Sequence, residues 1–87
     1  MHGSLVYTNT ALDSTDGVVN FNHHTYGVYM LNKSTSTAAT IKLNGFYEIY
    51  LHHMHNQSGS AYVFVPGDYT TIECVTADVS IAVYAVG

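Results

Sequence analysis

Apolar and polar residues alternate with a period of two along most of this 87-residue chain, and the residues that recur are Val, Ile, Tyr, Phe and Thr. Side chains of a β-strand point alternately to its two faces, so this alternation is the signature of a half-buried sheet and not of an amphipathic helix. The recurring residue types also fit a pleated surface. The pattern predicts strands at Leu5–Thr8, Val18–Asn22, Tyr26–Leu31, Ala39–Leu43, Tyr47–Leu51, Tyr62–Val65, Tyr69–Val75 and Val79–Val86, and no helix of consequence. Short strands at this spacing predict an all-β fold: a single antiparallel β-sandwich of about seven or eight strands, jelly-roll or immunoglobulin-like. A chain this short cannot divide between two hydrophobic cores, so one domain is expected over residues 1–87, with residues 1–17 as an extended N-terminal arm. Its 47% apolar share is enough for a core and argues against disorder.

Three turns can be argued from residue chemistry. Asn44-Gly45 is the dipeptide of a two-residue type I′ hairpin. That register would set Ile41 against Glu48 and mix the two faces. An odd loop, with Gly45 at positive φ in a bulge, keeps Ala39, Ile41, Tyr47, Ile49 and Leu51 on one face and Thr40, Lys42, Glu48 and Tyr50 on the other. Ile49→Ala should then cost about 2–5 kcal/mol. Val65-Pro66-Gly67-Asp68 places Pro and Gly at the centre of a type II turn, a sharp corner between two strands. Around Ala77-Asp78, an even connection puts Ile72 and Cys74 on the face of Val79, Ile81, Val83 and Ala85, and predicts a closing hairpin.

Charge excludes several functions. Two Lys against six acidic residues, with no Arg, give a net charge of −4. A nucleic-acid partner needs a basic face to neutralise phosphates, and a polybasic membrane anchor needs one to meet anionic lipid, so neither partner is expected. The N-terminus lacks the basic and long apolar regions of a signal peptide, and no apolar run approaches the roughly 20 residues that span a bilayer. The single Cys74 allows no internal disulfide and no thiol-based zinc site, and reads as a small buried hydrophobe.

Six histidines are the compositional anomaly, with His52, His53 and His55 in one patch and His23 and His24 in another. Alternation lets His53 and His55 share a face, which makes them the candidate ligands if a metal binds; a third ligand would come from His23, His24 or a second copy. The competing reading is a polar rim where a strand opens into the 56–60 loop, and it is preferred: no metal or other cofactor is expected. The carboxylates Asp13, Asp16, Asp68 and Asp78 fall at turns, Glu48 has Lys42 as a cross-strand partner, and no nucleophile or phosphate-loop motif is present, so no enzymatic activity is expected. Eight tyrosines without a tryptophan fit a protein interface better than a sugar platform. The interface candidates are His52, His53, His55, Tyr50 and Tyr62.

The stretch Asn32–Gly87 resembles the small β-sandwich decoration and accessory modules of tailed-phage virions. The resemblance is carried by the turn Asn32-Lys33-Ser34-Thr35-Ser36-Thr37, the corner Val65-Pro66-Gly67-Asp68-Tyr69-Thr70 and the ending Ser80-Ile81-Ala82-Val83-Tyr84-Ala85-Val86-Gly87. It implies a non-enzymatic structural protein on the virion surface, a capsid decoration or cement protein. Such a module is often a homotrimer and binds the major capsid or tail protein. No functional residue carries over from it, and the histidine patch departs from its pattern. The alternative expectation is a small carbohydrate-binding module that attaches to host glycans.

Overall fold

A computed structural model describes residues 4–53 and 62–87. Its strands are β1 (Leu5–Leu12), β2 (Val18–Asn20), β3 (Gly27–Asn32), β4 (Ala39–Leu43), β5 (Tyr47–Leu51), β6 (Val63–Pro66), β7 (Thr71–Cys74) and β8 (Ile81–Val86). They form two four-stranded sheets, sheet A in the order β1-β8-β3-β6 and sheet B in the order β2-β7-β4-β5. Every pairing is antiparallel. The all-β sandwich read from the alternation is the fold.

The first strand is longer than expected. β1 runs to Leu12 and pairs along β8 from Leu5↔Val86 to Leu12↔Ile81. A 3-10 turn at Ser14–Asp16 follows, and Asp13 caps it by accepting from Thr15 N while Asp13 N donates to Asp16. Residues 5–16 therefore belong to the body of the sandwich and are no arm. The polar residues Thr8, Asn9 and Thr10 mask the strand in the sequence, because an edge strand has only one side to satisfy and tolerates them.

Alternation sends one face of each sheet inward. Val28 and Met30 of β3, Ile81, Val83 and Ala85 of β8, Ala39, Ile41 and Leu43 of β4, and Ile72 and Cys74 of β7 meet in a common core with Leu12, Phe21, Leu51, Val65, Tyr69 and Val79. Burial on this scale supplies the dominant favourable term, at about 25 cal/mol per Å² of apolar surface. Among the described residues the one fully buried side-chain amide, Asn32, is satisfied. It donates to Thr37 O at 2.8 Å and Leu51 O at 3.2 Å, and accepts from Ser34 N at 2.9 Å, so it fastens the end of β3 to β5 and to the 33–37 loop.

The β4–β5 hairpin has the expected odd register: Ile41 faces Ile49 and Lys42 faces Glu48. Its bulge differs in detail. Asn44 and Gly45 both have positive φ, 57° and 81°, as a type I′ turn requires, and Phe46 N donates to Leu43 O at 3.4 Å. Pairing resumes with Leu43↔Tyr47, so the extra residue is Phe46, thrown outward and 78% exposed.

The expected β7–β8 hairpin does not form. β7 lies in sheet B between β2 and β4, and β8 lies in sheet A between β1 and β3, so the Ala77-Asp78 connection arches over the core. Both sheets turn their inner faces to the same interior, so Ile72, Cys74, Val79, Ile81, Val83 and Ala85 are buried in either topology. The corner Val65–Asp68 also crosses between sheets. Gly67 sits at φ 141°, well away from the roughly +80° of a type II turn, and its N–H bonds Tyr26 O at 3.1 Å.

Candidate functional site

The two outer faces differ in kind. No residue in the strands of sheet A carries a charge, whereas those of sheet B hold Lys42, Glu48 and Glu73, which the register sets in one row across its outer face. On sheet A one row of outward positions is aromatic on three neighbouring strands, β8, β3 and β6. Thr8, Tyr84, Tyr29 and Phe64 stand opposite one another across β1, β8, β3 and β6. The Tyr29 and Phe64 rings lie 4.6 Å apart at 41°, and Tyr62, just before β6, meets Tyr84 at 5.6 Å and 60°. Gly27 makes room for this cluster: a Cβ there would collide with the edge of the Phe64 ring. A hydrogen bond to Tyr84, aided by partial desolvation, pushes the Tyr62 phenol above its ordinary pKa. Tyr29, Phe64 and Tyr62 each remain about two-fifths exposed, at 41%, 42% and 43%.

The sequence-expected interface residues do not form one patch. Tyr62 belongs to the sheet A cluster. Tyr50 stands on the outer face of sheet B, 64% exposed, and its ring meets His52 edge-on at 5.3 Å and 88°. His53 follows, half-buried, and His55 lies outside the described residues. Tyr29, Phe64 and Tyr84 were not singled out by sequence. The signal was available in their parity: Tyr29 lies between the inward Val28 and Met30, and Tyr84 between Val83 and Ala85.

The other histidine pair serves the fold. His24 Nδ1 donates to both carboxylate oxygens of Asp68 at 2.9 Å, and His23 Nδ1 donates to His24 O at 2.7 Å. Thr25 completes a clasp on the corner, its buried hydroxyl accepting from Tyr69 N at 2.8 Å and lying 3.0 Å from Gly67 O and 3.1 Å from Tyr69 O. The His24–Asp68 pair is exposed, so it holds two loops in register and adds little stability. Among the described residues no three His, Cys, Asp or Glu side chains converge, and no concave pocket is present. Cys74 is buried, its thiol donating to Thr76 O at 3.5 Å; burial pushes its pKa up, against reactivity as a nucleophile.

No protein-family model, curated protein or solved structure matches this chain.

Proposed function

We propose that this protein is a non-enzymatic structural module that works inside an assembly, seated on its partner by the outer face of sheet A and joined to further copies of itself along strand edges. The observation that carries this reading is the uncharged aromatic face Tyr29–Phe64–Tyr62–Tyr84 on a sandwich whose charges lie elsewhere. Interface cores are depleted in charge and enriched in Tyr and Phe, and docking such a face desolvates no ion. Taken with the resemblance of Asn32–Gly87 to tailed-phage modules, the partner proposed is the shell or tail protein of a virus particle.

A glycan platform is the competing use of exposed rings. It calls for faces that lie parallel to a flat sugar chain. The 41° and 60° tilts between neighbouring rings favour interdigitation with protein side chains instead.

Co-sedimentation with isolated virus shells and tails tests the proposal. The parent protein should pellet with the particles, and a Tyr29→Ser/Phe64→Ser variant should stay in the supernatant while keeping its far-UV spectrum. Retention of the parent on a glycan array, with no binding to particles, would overturn it in favour of the carbohydrate reading.

A further inference from the structure

The described strands leave four edges, at β1, β6, β2 and β5. An open edge offers a row of unpaired N–H and C=O groups, and proteins blunt it with bulges, short strands, Pro or Lys. β1 is broken by register shifts at Leu5/Tyr7 and Asn9/Leu12. β2 has only three residues, and β6 has four and ends on Pro66. β5 is the least defended, with the single charge of Glu48 along its length. Its five residues run in unbroken register with β4, contain neither Lys nor Pro, and have no strand on the other side among the described residues.

Backbone parity shows which β5 groups are open. Val75 N donates to Thr40 O, and Asn44 N to Thr71 O, so the even-numbered residues of this part of the chain direct their backbone groups to β7 and the odd-numbered ones to β5. The β5 partners of those odd residues are Tyr47, Ile49 and Leu51. The backbone N–H and C=O of Glu48 and Tyr50 therefore point out of the sheet.

We infer that β5 pairs antiparallel with β5 of a second copy about a twofold axis at Ile49, joining two B sheets into one. In that register each Glu48 exchanges backbone hydrogen bonds with Tyr50 of the other copy, Ile49 faces Ile49, and Tyr47 faces Leu51. Charge and strand length select this pairing: a twofold at Glu48 would oppose two carboxylates, a twofold at Tyr50 would set Tyr47 opposite position 53, beyond the strand, and a one-residue slip would set the outward groups out of phase and reverse the faces. Apolar contact supports it, because Tyr47 is 45% exposed and Ile49 half-buried on the core side of the edge, where the second copy covers them. The inference rests on the proposed self-association and gives it twofold symmetry, in place of the threefold that the resemblance to tailed-phage modules implies.

Sedimentation equilibrium on the full chain at micromolar concentration tests it, with two kinds of variant. Tyr50→Pro removes an N–H that the β4 ladder does not use, so the domain should keep its far-UV spectrum while dimer dissociation becomes easier by roughly tenfold or more. Ile49→Cys places two thiols across a non-hydrogen-bonded pair, about 4.5 Å apart at Cα, and should give a disulfide dimer on mild oxidation, whereas Tyr47→Cys should not. A monomeric or trimeric parent, or a folded Tyr50→Pro with the parent's dimer affinity, would overturn the inference. If Tyr50→Pro fails to fold, the two cysteine variants decide: cross-linking no better at position 49 than at 47 would overturn it. Failure here leaves particle binding through Tyr29 and Phe64 intact, since that is read separately by co-sedimentation.

Discussion

Thr25 shows how one hydroxyl can hold a corner where two sheets meet. Its oxygen takes the N–H of Tyr69 in a buried setting. Thr25→Val keeps the shape and removes the partner, so it should cost about 1–3 kcal/mol, measured by urea unfolding. Gly67 is the second fixed point. Its φ of 141° disfavours any other residue, and a Cβ would press within 2.7 Å of the Tyr69 hydroxyl. Gly67→Ala should therefore destabilise by about 1–3 kcal/mol. Cys74 sets a pH limit. Burial raises its folded-state pKa, so the unfolded chain loses this proton first. Stability is then intact below the ordinary thiol pKa of about 8.5 and falls as pH climbs toward the folded-state value. Tyr69, also raised by burial and by the neighbouring Tyr47, adds a loss of the same sign at higher pH. Thermal melts from pH 7 to 10.5 should show a falling midpoint above about 8.5, and iodoacetamide should label Cys74 only after unfolding.

At the level of elements, the sequence is most legible where a local pattern has one solution. The β4–β5 register followed from keeping Ile41 with Ile49 and Lys42 with Glu48, because any slip by one residue turns both strands inside out. Depth was less legible than register. Ile41 is fully buried in the middle of its sheet, whereas Ile49 sits on the edge and is only half-buried. Ile41→Ala should accordingly cost about 2–5 kcal/mol, and Ile49→Ala clearly less, in contrast to the full cost expected from the sequence. The β7–β8 connection could not be read, since an arch between sheets and a hairpin within one bury the same residues, Ile72 and Cys74 against Ile81 and Val83. The aromatic face was half legible: parity marks Tyr29 and Tyr84 as outward, but only the pairing of β3 with both β6 and β8 brings Phe64 and Tyr62 beside them.

Across the whole molecule, the arrangement of charge is the feature that ties fold to use. Lys42, Glu48 and Glu73 are gathered on sheet B, and the strands of sheet A present only neutral side chains, with Tyr29, Phe64, Tyr62 and Tyr84 clustered on the outside. Among the described strands only β4 and β5 follow one another as neighbours in one sheet, and every other successive pair is divided between the two sheets. Folding therefore waits on non-local pairing, and stopped-flow refolding should fall in the millisecond-to-second range. The central claim is that sheet A is the face that meets a partner. Site-specific photo-cross-linking inside the assembled particle tests it most directly, with a benzophenone side chain at Tyr29 on sheet A and, as control, at Val18, which is 62% exposed on sheet B. The account predicts cross-links from position 29 to a shell or tail protein and none to it from position 18. Cross-links to that partner from position 18 alone, with none from position 29, would contradict it.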